Sequence, residues 1–157
     1  MRWFFNGLAA LAAAAVIAPI GVFAQTGKAD SVAPRPQLGP TDFLNAALSV
    51  VAAVDRYEMA DIWDKSSPIM KTSIPKDRFI ASTAQNRAAL GAVGRRDWSA
   101  IMRVVIAEKN GPLPPGRYMS VRFNTAGQNG ATMEEVISFH LDADGLWKLA
   151  GYTINRR

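Results

Sequence analysis

Residues 117–157 read RYMSVRFNTAGQNGATMEEVISFHLDADGLWKLAGYTINRR, and the rhythm of this stretch decides the fold. Apolar and polar side chains alternate with period two through Met119, Val121 and Phe123, and again through Met133, Glu135, Ile137, Phe139 and Leu141. That alternation marks strands with one face turned to a core. Turn-forming sequence separates the runs: Gly127-Gln128-Asn129-Gly130 follows the first, and Asp142-Ala143-Asp144-Gly145 follows the second. In the latter a glycine supplies the positive φ of a tight hairpin. The closing run is predicted to set Trp147, Leu149, Gly151 and Thr153 opposite Leu146, Lys148, Ala150, Tyr152 and Ile154.

Working outward, a further strand is predicted from Trp98, with Trp98, Ala100, Met102, Val104 and Ile106 on one face and Ser99, Ile101, Arg103, Val105 and Ala107 on the other. It ends at Asn110-Gly111-Pro112-Leu113-Pro114-Pro115-Gly116, which suits neither helix nor strand interior. Before Trp98 the period is helical. Thr41 is the expected N-cap of a long helix, with Asp42 near its positive end. Phe43, Leu44, Ala47, Leu48, Val50, Val51 and Val54 crowd its first half, and it continues to Asp64 before Ser66-Ser67-Pro68 closes it. Pro75 opens a second helix whose apolar side, Phe79, Ile80, Thr83, Ala84 and Leu90, runs to Gly91 or Gly94. The expected fold is therefore α+β: two N-terminal helices packed on a curved, cone-like four-stranded antiparallel meander. The default ligand site is the cleft at the wide end, between the long helix and the sheet.

The N-terminus follows a different plan. Arg2, the apolar run Leu8 to Ala18, the breakers Pro19 and Gly21, and small residues ending at Ala24 make residues 1–24 a signal peptide by pattern, with Gln25 as the mature start. A retained membrane anchor would need about 20 uninterrupted apolar residues. Residues 25–40, QTGKADSVAPRPQLGP, are too poor in large apolar side chains to offset their ordering entropy and read as a flexible linker. Residues 41–157 are left as one domain, expected to be periplasmic or secreted with no membrane span after cleavage. The chain has no cysteine, which excludes disulfides, thiolate metal sites, cysteine nucleophiles and a lipid-modified Cys at the mature start. Its net charge of +5 is scattered apart from Arg95-Arg96 and Arg156-Arg157, so the basic stripe that nucleic-acid binding requires is missing.

Seven side chains are the candidates for ligand binding: Asp55, Trp63, Arg87, Arg95, His140, Trp147 and Tyr152. Asp55 flanks an apolar helix face and serves either as a base or as the partner of an arginine. Arg87 lies within a turn of Ile80, Ala84 and Leu90, where it either holds an anion or buries its stem and leaves its head in water. Arg87 or Arg95 beside an aromatic pocket would suit an amphipathic acid. The aromatics line a pocket or fill the core. No catalytic residue, metal ligand set, phosphate loop or cofactor motif stands out.

These residues resemble a bacterial family, domain of unknown function 4019. The resemblance rests on Trp63 with Ser66, on Arg87 with Leu90-Gly91 and Arg95, and on Gly116-Arg117-Tyr118. It continues through Val121-Arg122-Phe123-Asn124-Thr125, Glu134-Glu135-Val136 and the terminal run Asp144 to Ile154. It implies an exported bacterial protein with a cone-shaped fold similar to the nuclear transport factor 2-like superfamily, and brings no established activity and no catalytic residues. That superfamily includes isomerases and dehydratases with an Asp or His in the cleft, so an Asp55–His140 pair is one reading. The leading expectation is a non-enzymatic domain binding an apolar or amphipathic small molecule, or a partner protein, in the helix–sheet cleft. The alternatives are an isomerase or hydratase of that cleft, and a structural envelope-associated domain whose sheet docks on an envelope protein or a second copy.

Overall fold

The structure, a computed structural model, describes residues 38–108 and 113–156, so the expected signal peptide and nearly all of the linker lie outside the described residues. The elements run α1 (Pro40–Asp55), α2 (Met59–Asp64), α3 (Pro68–Ser73), α4 (Lys76–Leu90), β1 (Val93–Ile106), β2 (Gly116–Gly127), β3 (Thr132–Leu141) and β4 (Trp147–Arg156). The strands form one antiparallel sheet in the order β1-β2-β3-β4. The α+β meander expected from the sequence is present.

The helical half is more divided than expected. Helix α1 begins at Pro40, and its cap is Gly39 rather than Thr41: the Gly39 N–H donates to Asp42 Oδ2 at 2.7 Å. The helix then stops at Asp55 instead of running to Asp64. Tyr57 adopts a left-handed backbone (φ 62), its N–H donates to the Val54 carbonyl, and the Glu58 N–H donates to that of Ala53. This pair of backward bonds is a Schellman closure, usually built on glycine. Nothing in the side-chain period announces it, because a tyrosine stands where the glycine would be. Downstream, Ser67 and Pro68 do more than end a helix. The Ser67 hydroxyl accepts the Ile69 N–H at 3.3 Å and Pro68 takes the first helical position, so a separate short helix, α3, starts there.

The sheet has one buried side. Met119, Val121, Phe123 and Thr125 of β2, Met133, Glu135, Ile137 and Phe139 of β3, and Leu149, Tyr152 and Ile154 of β4 are buried, and the helices add Phe43, Ala47, Val51, Val54, Met59, Met70, Phe79 and Leu90 to the same core. The alternation of β2 and β3 is as read from the sequence. Three irregularities break it in the outer strands, one of them at Gly94 near the start of β1. In β4 the register shifts between Ser138 and Phe139, which face Gly151 and Leu149, so Ala150 is the extra residue. Tyr152 and Ile154 thereby join Leu149 on the core side, and Gly151 and Thr153 do not. In β1 the second shift falls at Ser99: Trp98 pairs with Phe123 and Ala100 with Arg122, which separates Trp98 from the Ala100–Met102–Val104 face. β1 also starts earlier than Trp98. Gly91, left-handed at φ 69, ends α4, and the chain pairs with β2 from Val93 onward. Close approach there depends on Gly127, where a Cβ would overlap the Leu90 carbonyl oxygen.

Candidate functional site

Three places in the fold gather chemistry-bearing side chains. The first is a polar network inside the core. Asp55 ends α1, and its Oδ1 accepts from Arg87 Nε of α4 at 2.7 Å while its Oδ2 accepts from the Arg96 guanidinium of β1 at 2.9 Å. Arg96 also donates through Nε to Glu135 Oε1 at 2.8 Å. Glu135 is wholly enclosed, and takes further hydrogen bonds from Thr125 at 2.5 Å and from the Tyr152 hydroxyl at 2.7 Å. Arg87 closes the ring by donating to the Gly91 carbonyl at the end of its own helix. Two carboxylates meet two guanidiniums, and the charges balance. Burial works against the ionised Asp55, but the hydrogen bonds from Arg96 and Arg87 outweigh it and hold this carboxyl below its ordinary value. Burial pushes the Tyr152 phenol far above its ordinary value, with the Glu135 charge adding to the effect. Glu135 is sealed from solvent with three donors on its two oxygens, and Asp55 is held by two arginines, so this network fixes α1, α4 and all four strands to one another.

The second gathering lies at the other end of β3. The Ser67 hydroxyl donates to Asp142 Oδ1 at 2.7 Å, and His140 Nδ1 lies 2.7 Å from that same oxygen. Lys148 Nζ stands 3.5 Å from Asp142 Oδ2. Serine, histidine and aspartate invite comparison with a nucleophile triad, but the connectivity is different: the serine bonds the carboxylate and not the imidazole. Burial raises the Asp142 carboxyl, yet hydrogen bonds from Ser67, His140 and Lys148 bring it below its ordinary value, so it does not draw the serine proton. The His140 ring leans on Tyr118, centroids 4.8 Å apart, and its Nε2 lies where a Cβ on Gly116 would stand. The cluster ties the start of α3 to the β3–β4 hairpin. From Glu135 to His140 is five steps along β3, roughly 17 Å at strand rise. Asp55, bonded to the Glu135 end, and His140 each have partners of their own and do not pair with one another.

The third is a groove of about 490 Å³ between α1, α2 and the neighbouring ends of β3 and β4. Ala46, Ser49, Val50 and Ala53 come from one face of α1, Ile62 from α2, and Phe139, Trp147 and Leu149 from the sheet. Three of the four α1 residues are small, which keeps the helix from filling the gap. Trp147 is fixed edge-on against Phe43, with centroids 4.9 Å apart and planes at 85°. Charged side chains rim the groove: Arg56, Glu58, Asp61, Lys65 and Lys148. Arg56 and Glu58 hold each other through two hydrogen bonds of 2.8 and 2.7 Å, and Lys148 is held by Asp144 at 2.6 Å. The volume lies within the range of small-molecule pockets, roughly 300–1,000 Å³.

Of the seven residues nominated from the sequence, Asp55, Arg87 and Tyr152 meet in the buried network, and Trp147 lines the groove. Trp63 lies elsewhere, donating its indole N–H to the Ile74 carbonyl at 3.0 Å beneath Lys71 and Lys76. Arg95 is exposed on β1 and paired with Asp97 at 2.5 Å, and His140 is in the Ser67 cluster. Sequence reasoning passed over Arg96, Glu135 and Thr125. One signal is legible in the sequence: Glu135 is the lone carboxylate in the inward row Met133–Ile137–Phe139, a position that demands a buried counter-charge. Among the described residues no helix is long and apolar enough to cross a membrane.

No curated protein and no solved structure matches this chain. A family model described as "Protein of unknown function (DUF4019)" matches residues 46–152, from the groove face of α1 to the tyrosine that caps the buried network. That span is well over half of the chain and takes in β1, β2, β3 and the first part of β4, and the chain belongs to this family.

Proposed function

We propose that the protein is an exported binding domain, periplasmic or secreted after removal of residues 1–24, that takes an apolar or amphipathic small molecule in the groove between α1, α2 and the β3–β4 end. One observation carries the reading. The groove is floored by Val50, Ile62, Phe139, Trp147 and Leu149 and rimmed by charge, the arrangement that buries a hydrocarbon body while leaving a polar end in water. On this reading the sheet curves about α1 as a half-open cone, with the groove at its mouth. The two other clusters are occupied by their own hydrogen bonds, which favours binding over catalysis.

The test is native mass spectrometry of the chain purified from the envelope of its own cells, with binding of an anilinonaphthalene sulfonate probe followed in parallel. A small-molecule adduct on the native protein, and a probe affinity at least tenfold weaker in Ala53→Trp, are the expected results. Ala53 is only partly buried and faces the groove, so the larger ring fills it without entering the core. Equal probe affinity in the two proteins, together with an adduct-free native mass, would remove the groove from consideration.

A further inference from the structure

Strand β1 closes one edge of the sheet and pairs with β2 alone among the described strands. Among the described residues no strand pairs with its free side, a row of backbone donors and acceptors that natural sheets usually guard with lysine, proline or a covering helix. β1 has neither lysine nor proline, and Arg103 is the only charge between Ala100 and Ile106. The strand also carries apolar side chains into solvent on both faces. On the helix side of the sheet Trp98 is 59% and Val105 67% exposed, and on the opposite side Met102 and Val104 are exposed as well. An edge of this length and character is a template for another strand.

We infer that the strand it takes is β1 of a second copy of this chain, paired antiparallel about a twofold axis at Met102. Avoidance of like charges and the match of exposed apolar side chains together select the occupant and the register. In a twofold antiparallel pair each step forward on one strand meets a step back on the other, so the residue at the axis fixes every pairing. An axis at Arg103 sets two guanidiniums directly opposite each other, which is unfavourable. An axis at Ile101 sets Val104 and Val105 against Asp97 and Arg96 of the partner copy. With Met102 at the axis, Ala100 meets Val104 and Ile101 meets the aliphatic stem of Arg103. Because Ser99 is the extra residue of the bulge, Trp98 then meets Val105, joining the two most exposed apolar side chains of the strand. The strand is complementary to itself in size and sets no like charges face to face, and the pairing merges two sheets into one.

The test uses the full chain, expressed with its own N-terminal segment and purified as the cell processes it. Sedimentation is expected to give twice the mass of one chain, falling to a single chain in Met102→Lys, which sets two ammonium groups face to face at the axis. Circular dichroism checks that the variant is folded, as expected for a side chain already partly in water. Because the chain has no cysteine, Met102→Cys carries one thiol. Directly opposed residues in antiparallel strands lie about 4.5–5.5 Å apart between Cα atoms, within disulfide range, so copper-phenanthroline oxidation is expected to link two chains of Met102→Cys. Val104→Cys, set roughly 13 Å from its own copy in this register, is expected to stay unlinked. A single-chain mass at every concentration, a dimer that Met102→Lys leaves intact, crosslinking through Val104→Cys instead, or a foreign protein protecting Met102→Cys from oxidation would each overturn the inference.

Discussion

Arg96 Nε lies 2.8 Å from Glu135 Oε1, joining the first strand to the third around a carboxylate that no solvent reaches. A buried charge is tolerable only while its counter-charge is present. Arg96→Met strands Glu135 and should cost about 3–5 kcal/mol. The double variant Arg96→Met/Glu135→Leu should lose markedly less than the two single losses added together, because both charges leave. Urea denaturation midpoints at unchanged slope measure all three proteins.

The same network sets the response to acid and alkali. The folded-state value of Asp55 lies below its unfolded value of 3.8, so the stability it contributes is whole above that pH and is lost as pH falls through the lower, folded value. Asp142 acts in the same direction. For Tyr152 the folded value lies above the unfolded value of 10.0, so its contribution is whole below pH 10.0 and declines as pH rises beyond it. Denaturation midpoints across pH should therefore show a shallower acid limb in Asp55→Asn and a shallower alkaline limb in Tyr152→Phe.

Tyr57 occupies the left-handed position of the α1 closure with its ring in solvent. A side chain there costs about 1–2 kcal/mol that glycine avoids, offset in part by the greater freedom glycine gains on unfolding. Tyr57→Gly should stabilise the protein by about 1 kcal/mol, read as a higher melting temperature.

Gly127 lets the β2–β3 turn come against the end of α4, where the Gln128 N–H donates to the Ala92 carbonyl at 2.8 Å. Gly127→Ala drives a methyl group into the Leu90 carbonyl and should cost about 1–3 kcal/mol, the usual range for overpacking. Amide exchange should speed up first at Gln128 and Gly91, before the central strands respond.

The sequence disclosed the middle of the fold better than its margins. Strands β2 and β3 carry uninterrupted alternation, so their faces were legible residue by residue, and Glu135 was even placed on the correct side. β1 contains two extra residues, Gly94 and Ser99, and β4 one, Ala150, and each bulge inverts the assignments that follow it in its strand. Even alternation therefore sets Tyr152 opposite Leu149, whereas the bulge at Ala150 brings both to the core side. The helix break at Tyr57 was hidden because a tyrosine stands in glycine's place. The groove was foreseen only as a cleft between helix and sheet, and of its lining only Trp147 was named. The alanines of α1 that open it look like ordinary helix formers. Arg96 was read only as half of a basic pair, since nothing local to β1 reveals the two carboxylates it meets.

The polar ring around Glu135 draws on the first helix and the last strand of the domain. Until Tyr152 has emerged, a chain growing from the ribosome holds Asp55 and Arg87 but lacks the means to seal the interior behind them. Vectorial synthesis thus leaves the enclosed carboxylate short of one donor until the last strand of the sheet has been made.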